Sequence, residues 1–104
     1  FLCITLNGAH ELQRINVISI GTINKTLVHP REVFCEAVTQ RASGIICVHN
    51  HPYGQCLPSE ADIQTTTILR RASDIMSIAF LDHIIITKDG YFSFKEHGML
   101  EEKN

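Results

Sequence analysis

Ile45-Ile46-Cys47-Val48-His49-Asn50-His51, then seven residues, Ser59, and three positions later Asp62, is the stretch that decides the fold. Four apolar residues in a row suit a central strand covered on both faces. That strand delivers His49 and His51 at its carboxyl end, and residues two apart on a strand project from one face. Asn50 to Pro58 is a loop rich in Pro, Gly and Asn, and Ser59 opens a helix. Turns of this kind, at the carboxyl ends of strands, are where α/β sheets place their chemistry.

The spacing H-x-H-x7-S-x2-D is also a ligand pattern. Two imidazoles from one strand face and a carboxylate one turn into the next element make an open site, with a fourth position left for water. Zinc suits that donor set first, non-haem iron can use the same ligand types, and magnesium or calcium would want more oxygens. An open zinc site is usually hydrolytic. Each part has a plainer reading. Ser59 with Asp62 fits a capping box, with Ser as N-cap and an acid at N3, and a histidine pair at a strand end can be solvated. Capping would fix Asp62 on the first helical turn, so the two readings are compatible.

Outward from this unit, Phe1–Leu6 has strand character and Asn7-Gly8 is a hairpin signal. The return strand is expected from Glu11 to Thr22, ended or bulged by Gly21. Pro30 sits where a helix favours its first residue. Val33, Phe34, Ala37 and Val38 form its apolar stripe, and Gly44 is expected to close it. The second helix carries Ile63, Thr66, Thr67, Leu69, Ala72 and Ile75 or Met76. Ile78–Leu81 and His83–Thr87 read as two strands, Lys88-Asp89-Gly90 as a turn and Tyr91-Phe92 as a last strand. Ser93 can cap a helical turn over Phe94–His97 that stops at Gly98, and the Glu101–Asn104 tail is expected to fray. The whole is an α/β sandwich with one mixed sheet.

The 104 residues fit one domain, 1–104, and 44% apolar content suits a packed core. Phe1 in place of Met leads us to expect a fragment or a processed chain, without a signal peptide. No apolar run is long enough to span a bilayer. A net charge of −2 argues against direct nucleic-acid binding, which normally needs a basic surface. Cys3, Cys35 and Cys47 lie in apolar stretches and are expected to be buried. Cys56 lies in the motif loop, where exposure is expected, and nothing suggests a disulfide framework. A reducing cytoplasm is the default. His10 is expected to face solvent, His29 to sit at a helix entry and His97 in a polar stretch. Asp82 beside His83 suggests either a carboxylate that orients a ligand histidine or a structural strand entry.

His49-Asn50-His51-Pro52-Tyr53-Gly54-Gln55-Cys56-Leu57-Pro58-Ser59-Glu60-Ala61-Asp62 resembles the JAMM (JAB, MPN+) zinc-hydrolase motif, and most closely its bacterial RadC branch. Ile20–Asn24, His29–Phe34, Leu81–Ile86 and Ser93–Gly98 fit that branch as well. The resemblance implies a cytidine-deaminase-like fold, a mixed sheet with helices on its faces. It implies zinc held by His49, His51 and Asp62, with Ser59 as a catalytic residue that stabilises an oxyanion. It implies peptide or isopeptide hydrolysis with a peptide or protein substrate. The alternative is a non-catalytic interaction module recruited to DNA repair or recombination assemblies. The family pattern also needs a glutamate as general base, expected a residue or two before Phe1. Glu11, beyond the hairpin turn, is a poor substitute. Tyr53 stands where a serine is common. Deaminase chemistry is disfavoured, because its Cys-x-x-Cys and H-x-E signature is lacking.

Overall fold

Five strands and two helices make up the computed structural model, which describes residues 1–18, 28–51 and 55–100. In chain order they are β1 (Leu2–Leu6), β2 (Leu12–Val17), α1 (Pro30–Thr39), β3 (Gly44–Asn50), α2 (Glu60–Met76), β4 (Ala79–Thr87) and β5 (Gly90–Ser93). The strands form one sheet in the order β2-β1-β3-β4-β5. β3 and β4 run parallel, and every other pair is antiparallel. A parallel pair needs a long crossover, and α2 supplies it. The result is the mixed α/β sheet flanked by helices that the sequence predicts.

Local chemistry explains each helix end. α1 starts on Pro30, whose missing N–H would be unpaired there anyway, and His29 offers no side-chain cap. Its end differs from the expectation. Arg41, not Gly44, takes the left-handed position at φ 55°, and the Ala42 amide closes back on the Ala37 carbonyl at 2.9 Å. Gly44 opens β3 instead. A Cβ there would lie 3.0 Å from Leu81 Cδ1, so its small size makes room for a neighbouring strand. α2 starts on a complete Ser59–Asp62 capping box and ends on Ser77 in the left-handed region at φ 58°.

The hairpin after β1 also differs in detail. Asn7 Oδ1 accepts from the amides of Ala9 and Glu11, both at 2.9 Å, and the positive φ falls on His10 at 61° rather than on Gly8. The segment expected as two strands, Ile78–Leu81 and His83–Thr87, is the single strand β4. Its register slips once: Ile45 faces Phe80 while Ile46 faces Asp82, which leaves Leu81 as a bulge. Phe94–His97 is a turn rather than a helix, capped as foreseen by Ser93 Oγ accepting the Glu96 amide at 3.1 Å. Ile20–Thr22 and Glu101–Asn104 lie outside the described residues.

Both helices cover the same face of the sheet. Val33, Phe34 and Ala37 of α1 and Leu69 of α2 form one core with Cys3, Ile45, Cys47 and Ile78. The alternate residues of the strands are less protected: in β3, Ile46 and Val48 are half-buried where Ile45 and Cys47 are buried. Ile15 pairs with Ile4 and Val17 with Leu2 across β1–β2, and these two β2 side chains are 54% and 60% exposed. Ile86 and Tyr91 pair on the same face and are also exposed. α2 buries Thr66, Leu69 and Ser73, while Ile63, Ile75 and Met76 face outward. Cys3 and Cys47 are buried as expected, directly opposite one another across β1–β3. Cys35 is exposed, against expectation, and Cys56 is half-buried.

Candidate metal centre

β3 and the first turn of α2 bring His49, His51 and Asp62 together. One ligand-type atom from each lies within 4.8 Å of the others. Asp62 divides its carboxylate: Oδ1 is 3.1 Å from His49 Nε2, and Oδ2 is 3.0 Å from His51 Nε2. All three side chains are partly shielded from solvent. Two donors on a tetrahedral zinc sit roughly 3.4 Å apart, given metal–ligand distances near 2.1 Å, and the two Asp62–imidazole contacts lie close to that spacing.

The capping box holds the carboxylate in place. The Ser59 amide donates to Asp62 Oδ2 at 2.7 Å, and the Asp62 amide donates to Ser59 Oγ at 3.1 Å. Burial alone would push the Asp62 carboxyl up. The His49 hydrogen bond, the Ser59 amide and the His49 charge outweigh it and hold the group well below the usual carboxylate range. Asp62 is therefore anionic at neutral pH.

Each histidine is oriented through its other nitrogen. His51 Nδ1 is 3.0 Å from the Gln55 carbonyl. A carbonyl only accepts, so Nδ1 carries a proton and Nε2 is the nitrogen turned to Asp62. His49 Nδ1 is 2.9 Å from His83 Nε2. His83 is fully buried, and its Nδ1 lies 2.6 Å from Thr66 Oγ1. Burial first, and the His49 charge second, push the His83 imidazole down to about 3, so it stays neutral at physiological pH. The Phe94 ring stacks on it at 4.8 Å and the Phe1 ring stacks on His49 at 5.8 Å.

Of the two roles open for Asp82 in the sequence, the structure shows the structural one. Asp82 does not meet the His83 ring. Neighbours on a strand point to opposite faces, and Asp82 shares the open face with Ile46 while His83 pairs with Cys47 on the covered one. The Asp82 carboxylate instead accepts from the amides of His83 at 2.7 Å and Lys95 at 3.0 Å, and from Ser93 Oγ at 2.5 Å. It ties the last turn to β4. The orienting partner of His49 is His83 itself, and the register of two parallel strands is what places it there. Thr66, which the sequence placed on the second helix without a role, is its companion. The other histidines are peripheral: His10 and His29 are exposed, and His97 stacks on Phe92 at 4.1 Å. Glu11 sits in the hairpin loop at the other end of the sheet. Leu6 faces Gly44 and Leu2 faces Val48, so roughly 16 Å of strand separates that end from His49. Pro52, Tyr53 and Gly54 lie outside the described residues.

Among the described residues no helix is long and apolar enough to cross a membrane. The family described as the RadC-like JAB domain matches residues 1–99. A protein of Methanospirillum hungatei named UPF0758 protein is 49% identical over 100 residues, which cover 96% of this chain and 44% of that protein. Proteins of the same name from Pelobacter propionicus and Pelodictyon phaeoclathratiforme are each 48% identical, over 100 and 95 residues. The chain spans less than half the length of these relatives. A match that runs from the first strand to the last turn, with relatives near half identity along it, places this chain in the RadC-like JAB domain family.

Proposed function

We propose that the domain holds zinc through His49, His51 and Asp62 and belongs to a hydrolase of peptide or isopeptide bonds. The observation behind this reading is electrostatic. An anionic carboxylate faces two imidazole nitrogens at 3.0–3.1 Å, and in the neutral rings suited to a metal these are lone pairs. A carboxylate and two imidazole nitrogens turned to one point make a donor set able to hold a cation. Bound zinc supplies Lewis acidity, acidifying a water and polarising a carbonyl. The protein's own part is to orient. Gln55 and His83 fix the rings, and Ser59 fixes the carboxylate. Ser59 is exposed at the start of α2, and its Oγ accepts the Asp62 amide, so its hydroxyl proton is left to donate to an oxyanion. Such a donor is worth roughly 2–4 kcal/mol.

The proton acceptor in this reading is a carboxylate just before position 1. The Phe1 ring lies against both His49 and His83, so the start of β1 borders the centre. The test compares this chain with a longer form carrying the upstream segment, both zinc-loaded, on a library of peptide and isopeptide substrates. The longer form should be faster by ~10²–10⁴-fold, the usual range for general-base help. Equal activity would place the base within these residues.

The open apolar face, with Ile15, Val17, Ile86 and Tyr91 exposed, favours a second reading as an interaction module within a larger assembly. Zinc binding with no turnover of any amide substrate by the longer form would support it.

A further inference from the structure

The hydrogen bonds continue beyond the three candidate ligands and return to their starting point. Thr66 Oγ1 donates to the Asp62 main-chain carbonyl at 2.8 Å, one helical turn back. His83 Nδ1 is 2.6 Å from that same Oγ1, and His83 Nε2 is 2.9 Å from His49 Nδ1. His49 Nε2 then meets Asp62 Oδ1 at 3.1 Å. Asp62, Thr66, His83 and His49 thus form a closed ring of contacts.

Proton counting gives the ring a direction. A hydroxyl has one proton, and a carbonyl has none to give. Thr66 therefore donates to the Asp62 carbonyl and can only accept from His83, so His83 Nδ1 carries the proton. A neutral imidazole has one N–H. His83 Nε2 is thus bare and accepts from His49 Nδ1. This leaves His49 Nε2 as the nitrogen turned to the carboxylate. The direction is set by a main-chain carbonyl of the first turn of α2.

We propose that His83 and Thr66 are positioning residues that lock His49 in the Nδ1–H tautomer, the one form able to offer Nε2 to a metal ion. The consequence for metal binding rests on the reading above; the tautomer itself does not. Free histidine in water favours the opposite tautomer, so a ligand without this relay would have to rearrange before binding. Partners of this kind typically change metal affinity by ~10–100-fold. A neutral imidazole fills the place that a carboxylate or carbonyl usually takes, and it needs Thr66 to define which way it points.

The first measurement is the tautomer of His49 in the metal-free, ¹⁵N-labelled chain, by long-range proton–nitrogen correlation at about pH 8, above the ordinary imidazole range. Nδ1–H is expected, and Nε2–H would overturn the proposal. The second is zinc affinity by competition with a chelating dye. Thr66→Val removes the acceptor for His83 Nδ1–H and should weaken zinc binding by ~10–100-fold, with His49 moving towards Nε2–H. Thr66→Ser should restore both. His83→Phe keeps a ring to stack on Phe94 but loses the acceptor, and should weaken binding similarly. His83→Gln can accept from His49 and donate to Thr66, and should recover most of the affinity. Thr66→Val binding zinc as tightly as the unmodified chain would overturn the relay while leaving the metal centre standing. An unmodified chain that binds no zinc would overturn the metal reading, and the tautomer, which needs no variant, would still decide the relay.

Discussion

Asp62 at the start of α2 and Asp82 in β4 are built from the same parts. Each carboxylate accepts from a main-chain N–H, each is tied to a serine, and each stands near a histidine. Asp62 nevertheless turns an oxygen towards each of two imidazoles. Asp82 turns both of its oxygens to Ser93, Lys95 and the His83 amide. What separates them is geometry. On the helix, the capping box aims the third residue back over the loop and onto the strand end. On the strand, alternation sends Asp82 to the face opposite the His83 ring. Nearness in sequence left both an orienting and a structural role open for Asp82, and the pleat selects the structural one.

The sharpest way to break the comparison is to exchange the two losses. Asp62→Ala, or His49→Ala with His51→Ala, should abolish zinc binding in elemental analysis of gently purified protein. Asp82→Ala should leave about one zinc per chain, the stoichiometry of a single three-ligand site. Equal zinc in all of these chains would end the assignment.

Acid should separate the regions next, in the metal-free protein. Asp62 has a folded value below its unfolded ~3.9, so its stabilising contribution is present above that pH and is lost as the pH falls below it. His83 is a base depressed to about 3. Between ~6.5 and that value the unfolded chain binds the extra proton, so stability falls with pH across this window. Urea denaturation as a function of pH should show both limbs. His83→Gln should flatten the upper one, and Asp62→Asn the lower. An unchanged upper limb in His83→Gln would mean that His83 is charged in the folded state.

Smaller effects sharpen the contrast. Asp82→Ala leaves a Ser93 hydroxyl and two amides without their acceptor and should cost about 1–3 kcal/mol in denaturant unfolding. Ser59→Ala, which loses a cap on a helix with other support, should cost about 0.5–2 kcal/mol, with zinc content unchanged. A larger loss for Ser59 than for Asp82 would reverse our ranking of the two regions.

The candidate site was legible because its signal is local. His49, His51, Ser59 and Asp62 lie within one strand–loop–helix unit, and their spacing alone implies convergence. The sheet was legible as a class, since strands alternating with helices imply an α/β sandwich with one mixed sheet. His83 as the partner of His49 was not legible. Its position depends on Cys47 facing His83 across two strands 36 residues apart, after a bulge at Leu81 that no local pattern announces. Thr66 was hidden for a related reason, because a polar residue in a buried stripe gains meaning only from what it touches. Cys35 shows the converse: an apolar setting in sequence does not say which way a helical residue faces.

The capping box has a further consequence, because Asp62 both starts α2 and faces the two histidines. Whatever orders the first turn of the helix also orders the carboxylate, so an ion meets a group whose freedom folding has already removed. The coupling is reciprocal by linkage. An ion that binds only the folded chain raises the free energy of unfolding by RT ln(1 + [ion]/Kd), about 2.7 kcal/mol at a hundredfold excess over Kd. Thermal melting in a series of divalent cations would therefore rank their affinities for this domain before any substrate is known.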